Sequence, residues 1–194
     1  MSHVAPADHP IHELLRKRWS PYAFDPNRDV DEADLRALFE AARWTMSSFN
    51  AQPWRYVVGV RARNRGVWEQ VLSVLVPGNQ AWAQHVPVLC LGLYRPNFEH
   101  NDKPNRTAAH DLGAAAANLT FEATVRGIHV HQMAGIVPDK AREVFEIPAE
   151  LEPLTAIAIG YLGDGAKLDE QYAKRDERPR VRKTLDEFVL RGGF

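Results

Sequence analysis

Residues 45–54, TMSSFNAQPW, lie between a periodic helical segment and an apolar run, and they carry more chemistry than a connection needs. Upstream, DEADLRALFEAAR (31–43) places Leu35, Leu38, Phe39 and Ala42 at helical spacing with acids in the first turn, which predicts an amphipathic helix. Downstream, WRYVVGV (54–60) predicts a strand that ends in the charged turn RARNRG. The stretch is therefore a helix-to-strand loop, where functional groups are commonly held on a rigid scaffold. Ser47 and Ser48 supply hydroxyls. Asn50 and Gln52 each present a donor and an acceptor, as needed to read a ring edge of alternating polarity. Ser and Asn also favour plain turns. Residue chemistry alone leaves both readings open.

Working outward, PIHELLRKR (10–18) reads as a short helix broken at Pro21 and Pro26. VWEQVLSVL reads as a helix stopped by Pro77-Gly78, and AWAQHVP as a further short helical piece. VLCLGLY (88–94) is continuously apolar and so expected to be central in its sheet. RPNFEHNDKPNR, within the 95–108 loop, has no period and is the most lid-like segment. Asp111 is expected to cap the long helix LGAAAANLTFEATVRG, with Gly127 as its stop and alanines as a close-packing face. IHVHQM is a third strand, DKAREVFEI a helix opened by Pro138, and LTAIAIGYLG a fourth strand. Helices and strands alternate irregularly, which fits α+β rather than a doubly wound sheet. One domain, 1–194, is expected, with residues 1–9 flexible.

Bulk properties exclude several classes. The chain has 194 residues, 45% hydrophobic and 25% charged, with a net charge of −1. No nucleic-acid partner is expected from that balance. Neither a signal peptide nor a run of about 20 apolar residues is evident, so no membrane association and a cytoplasmic location are expected. The one cysteine, Cys90, sits in an apolar strand and reads as a buried thiol. P-loop, GxGxxG, HExxH and GxSxG motifs are missing. His129 and His131 point to one face of a strand, but no further ligand lies at metal-like spacing, so no metal is assigned.

Two basic features remain. Arg18-Trp19-Ser20 could converge a guanidinium fork and a hydroxyl on a phosphate, or be a solvated helix end that suits the macrodipole. RDERPRVRK (175–183) is ordinarily a solvated charge run, unless Arg18 is near it in space.

Taken together and in order, RWSPYAF, SSFNAQPWRYVV, DLGAAAANLTFEATVRGIHVHQMAG and RPRVRKTLDEFV resemble the nitroreductase (flavin reductase-like) family over roughly residues 11–189. The resemblance implies a three-layer α/β/α sandwich on a mostly antiparallel sheet and an intertwined homodimer with FMN at its interface. It implies ping-pong transfer from NADH or NADPH to a small-molecule electron acceptor such as a nitroaromatic, quinone or enone. Arg18 and Ser20 would hold the phosphate and ribityl chain, with Trp19 contributing backbone or packing. Ser48, Asn50 and Gln52 would line the flavin, and the Ala134-Gly135 turn would point an N–H at it. Arg178 and Arg180 would complete the phosphate clamp. No side chain is assigned a catalytic role, because the cofactor carries the chemistry.

One position departs from the family pattern. Tyr22 stands where many relatives carry Lys or Arg beside the flavin, which implies a less stabilised reduced flavin and a lower midpoint potential. Two alternatives stay open at this point: a protein that stores or senses FMN without turnover, and a relative with a different flavin reaction such as dehalogenation.

Overall fold

The apolar runs at 54–60, 88–94, 129–133 and 152–160 assemble into one sheet in the computed structural model, which describes residues 3–192. The strands are β1 (Trp54–Val60), β2 (Val88–Tyr94), β3 (His129–Met133) and β4 (Glu152–Gly160). They are ordered β1-β2-β4-β3 and every pairing is antiparallel. β2 is therefore interior, as its unbroken apolarity predicts, and β1 and β3 are the two edges.

The side-chain alternation of β2 divides the core. Val88 and Cys90 join one buried cluster, and Leu89, Leu91 and Leu93 join another on the opposite face. The first layer is α2 (Glu32–Arg43) and α5 (Ala108–Val125), where Leu35, Leu38 and Ala42 meet Leu112, Ala115, Ala116, Leu119 and Ala123. Small residues at i, i+3 and i+4 let the two helices approach closely. The second layer combines α3 (Arg65–Ser73), α4 (Pro77–Ala83), α6 (Pro138–Val144) and α7 (Glu170–Asp176), through Trp68, Val71, Trp82, Ala141 and Tyr172. Helices flank the sheet on both faces, and the fold is α+β with a four-stranded antiparallel sheet. The helix near the N-terminus is α1 (Glu13–Lys17), and the tail carries α8 (Leu185–Phe188).

Local expectations change in several places. Pro77 begins α4 and Gly78 lies within it, so Pro-Gly starts a helix instead of only stopping α3; a first-turn proline loses no intrahelical bond. Asp111 does not cap α5. Thr107 occupies the N-cap position, and Asp111 lies buried inside the first turn. Gly127 has φ +69 and follows the last residue of α5 as expected of a helix stop. The 95–108 segment is not structureless either. Asn97 bridges Pro104, and Phe98 N–H donates to Lys103 O at 2.9 Å. Residues near the N-terminus, expected to be flexible, make defined contacts: His3 stacks on Trp19 at 3.7 Å and Ala5 N–H donates to Arg16 O at 2.9 Å.

Candidate functional site

The sequence-predicted residues fall into two groups at opposite ends of α5. One group follows β3. Arg18 and Trp19 line a cavity of about 190 Å³ with Thr124, Gly127 and His129, at the C-terminal end of α5. Arg18 Nη1 donates to Ser20 Oγ at 3.2 Å. Burial, followed by the repulsion of Arg180 and Arg182, pushes the Arg18 guanidinium below its ordinary pKa. Arg180 shifts the same way, from burial and then Arg182. Its Nη1 donates to the backbone carbonyls of His3 and Arg16, both at 2.7 Å. Among the described residues, none of Arg18, Arg180 and Arg182 makes an ion pair with a carboxylate. Arg18 and the tail arginines Arg180 and Arg182 thus gather positive charge beside Ser20. Of the C-terminal arginines, Arg180 and Arg182 are the ones whose charge repels the Arg18 guanidinium.

Further along β3, Tyr22 packs against His131 at 4.8 Å, Trp82 at 5.2 Å and Tyr172 at 5.3 Å. Its hydroxyl accepts from Arg175 Nη1 at 3.4 Å, so a cation from α7 stands beside a position that carries none itself. His131 Nδ1–H donates to Pro21 O at 2.8 Å, which leaves Nε2 as the unprotonated nitrogen of the neutral ring. The strand histidines are thus occupied by Trp19 and Tyr22. Beyond β3, the N–H groups of Ala134 and Gly135 make no hydrogen bond among the described residues. A Cβ at Gly135 would lie 2.6 Å from Asn79 Nδ2 and 2.8 Å from Val76 Cγ2, so a larger residue would displace those two side chains.

The other group is the 45–54 loop, at the start of edge strand β1. Asn118 Nδ2 donates to Thr45 Oγ1 at 2.7 Å, and Ser48 N–H donates to the buried Asp111 carboxylate at 3.1 Å. Phe49, Asn50 and Gln52 have φ of 51, 53 and 47°. Three non-glycine residues in the left-handed region within four positions store on the order of 1 kcal/mol each, and such strain concentrates at ligand-binding loops. Gln52 N–H donates to Ser47 Oγ at 3.0 Å and Gln52 Nε2 to Asn50 O at 3.0 Å. The Asn50 amide remains exposed and makes no internal bond among the described residues.

From Asp111 to Thr124 is about 20 Å along a helix, and three strand spacings separate β1 from β3 by about 14 Å. In one chain the cationic group, beside β3, and the strained polar loop, at the start of β1, thus stand at opposite edges of the sheet. Around the loop, Trp44, Met46 and Phe49 are 74, 79 and 87% exposed. Three large apolar side chains exposed within six positions are more than scattered surface residues usually amount to.

Residues 15–161 match the profile described as the Nitroreductase family. This chain belongs to the nitroreductase family. A solved structure described as an oxidoreductase containing FMN superposes with a TM-score of 0.90 at 32% identity, covering 100% of this chain and 98% of that one. An uncharacterised 15.4 kDa protein of Mycolicibacterium smegmatis is 41% identical over 92 residues, which span 47% of this chain and 62% of that protein. The major NAD(P)H-flavin oxidoreductase of Aliivibrio fischeri is 42% identical over 50 residues, 26% of this chain and 23% of its own. The chain thus spans less than two thirds of either curated relative it matches.

Within this family member, four residues take parts in the two groups that the sequence did not assign to them. Asn79 Nδ2 donates to Gly135 O at 3.1 Å and so braces the glycine turn. Asp111 anchors the strained loop, Arg182 joins the guanidinium cluster, and Asp176 holds the segment after Ser20. Asp176 was hidden inside RDERPRVRK, whose positive charge masks the one aspartate that faces the backbone. For Asp111, a helix-start aspartate looks the same in sequence whether it caps its own helix or reaches a loop 63 residues away.

Proposed function

We propose that the chain is an FMN-dependent NAD(P)H oxidoreductase that works as a homodimer, with each flavin held between the cationic group of one protomer and the 45–54 loop of its partner. The observation that carries the reading is the placement of those two groups at opposite edges of the sheet, each suited to a different part of one flavin. Three arginines without carboxylates suit a phosphate dianion. Ser20 beside Arg18 suits a ribityl or phosphate oxygen. The free N–H groups of Ala134 and Gly135 suit a ring acceptor, and Ser48, Asn50 and Gln52 suit the ring's polar edge. These residues fit FMN, and a second copy of the chain would also cover Trp44, Met46 and Phe49.

When FMN is bound it supplies hydride transfer, taken from NADH or NADPH and passed to an acceptor such as a nitroaromatic, quinone or enone. The protein's own part is positional. Arg18, Ser20 and Arg180 fix the phosphate, with Arg178 and Arg182 of the same tail as the further candidates. The strained loop presents Asn50 and Ser48 with little conformational freedom left to lose on binding. The aromatic cluster of Tyr22, Trp82 and Tyr172 backs the segment that carries Arg18 and Ser20, and Arg175 brings positive charge near Tyr22. No general acid or base is needed from side chains.

Purified protein is expected to be yellow or to become so with FMN, and anaerobic NADH or NADPH is expected to bleach the bound flavin, with colour restored by a quinone or nitroaromatic. A protein that binds FMN but is not bleached by either nucleotide stores or senses the flavin instead. A colourless protein that cannot be reconstituted would end the flavin reading.

A further inference from the structure

Asp176 is the last residue of α7 and sits in a run otherwise dominated by arginine, yet it makes no ion pair among the described residues. Its carboxylate turns instead to the backbone. Tyr22 N–H donates to Oδ1 and Oδ2 at 3.0 Å each, and Ala23 N–H donates to Oδ2 at 3.1 Å. Half-burial raises its pKa, and the two N–H groups draw it back down. A carboxylate with both oxygens committed to consecutive amides is a rigid clip, because a charged acceptor strengthens each bond.

The clip joins two segments with one task. On one side it fixes the chain immediately after Arg18 and Ser20. On the other it fixes the point from which the tail departs toward Arg180, four residues on, and Arg182, six residues on. The two halves of the guanidinium cluster come from opposite ends of the sequence, and this is a direct polar connection between their supports. We infer that Asp176 is a positioning residue for the phosphate half of the site: it sets the spacing between Arg18–Ser20 and Arg180–Arg182, and through it the preference for a phosphorylated flavin. This rests on the reading of the cluster as a phosphate site. α7 does not depend on the clip for its place, since Tyr172 is buried and its hydroxyl donates to Gly78 O at 2.6 Å.

The test compares FMN with riboflavin, which lacks the phosphate, on apo protein. Asp176→Asn keeps the shape of the side chain but turns one acceptor into a donor facing an N–H. Its FMN affinity is expected to fall about tenfold, the scale of one charged hydrogen bond, while riboflavin affinity and apo Tm stay close to wild type. Asp176→Glu retains the carboxylate and is expected to keep part of the FMN preference. Arg180→Gln, which leaves the clip intact, is expected to show the same selective loss and calibrates it. An Asp176→Asn protein with an unchanged FMN-to-riboflavin ratio, or with both affinities reduced equally alongside a lower Tm, contradicts the positioning role. If Asp176→Asn does not fold, Asp176→Glu carries the same comparison, and a loss of both ligands in equal measure again overturns it. Wild-type protein that binds FMN no better than riboflavin removes the phosphate reading beneath it, a failure visible before any variant is made.

Discussion

His131 illustrates how much a single side chain can be read two ways. From sequence, His129 and His131 share one strand face. In the fold that face is filled by Trp19 and Tyr22, and burial lowers the pKa of both imidazoles. The sign of the consequence follows from linkage: above the ordinary value of 6.5 both rings are neutral folded and unfolded, and they contribute nothing. Below it the unfolded chain takes up protons that the folded chain refuses. Stability is therefore lost as pH falls from 6.5 toward the lower folded values. Thermal melts are expected to show a lower Tm at about pH 5.5 than at about pH 7.5. In His131→Asn, whose amide can still donate to Pro21 O, the difference is expected to shrink; an unchanged difference would rule out this ring as a source. Cys90 tells the same story of burial, its thiol fully enclosed and pushed up to about 12. Here sequence sufficed, since an apolar strand leaves a cysteine nowhere else to go.

At the scale of elements, the strands were legible because each is a short apolar run bounded by turn residues, and β1 and β2 begin and end where that pattern does. The helix at 32–43 was equally plain from its spacing. What sequence did not reveal was contact between elements. Gly59 looks like an ordinary small residue in β1, yet a Cβ there would lie 2.5 Å from the Trp68 backbone, because α3 packs directly on the strand. Gly59→Ala is expected to destabilise the protein by about 1–3 kcal/mol, the usual cost of overpacking a tight core. Denaturant unfolding measures it, and a change near zero would mean that α3 shifts freely. The 45–54 loop shows the same limit more sharply. Its composition left a turn and a ligand site both open, and it carried no sign of the three left-handed residues or of the tethers to Asp111 and Asn118. Asn is a common left-handed residue, but Phe and Gln give no such signal in residue type.

For the whole molecule, the resemblance reached the family and the order of the motifs, and Arg18, Ser20 and Arg180 do come together. It did not reach the separation of the phosphate group from the 45–54 loop, because linear order carries no distance. That separation makes the account depend on two chains per flavin, and subunit mixing tests it. Arg18→Glu and the double variant Asn50→Asp, Gln52→Glu damage different halves of the proposed site, so each homodimer alone is expected to bind FMN poorly. In a mixed dimer one site collects every substitution and the other is wild type. Denaturing and refolding an equal mixture, followed by FMN titration, is predicted to recover roughly a quarter of the wild-type sites, from random pairing of two-fold dimers. A mixture that binds no more FMN than the two variants measured separately would contradict a site shared between subunits.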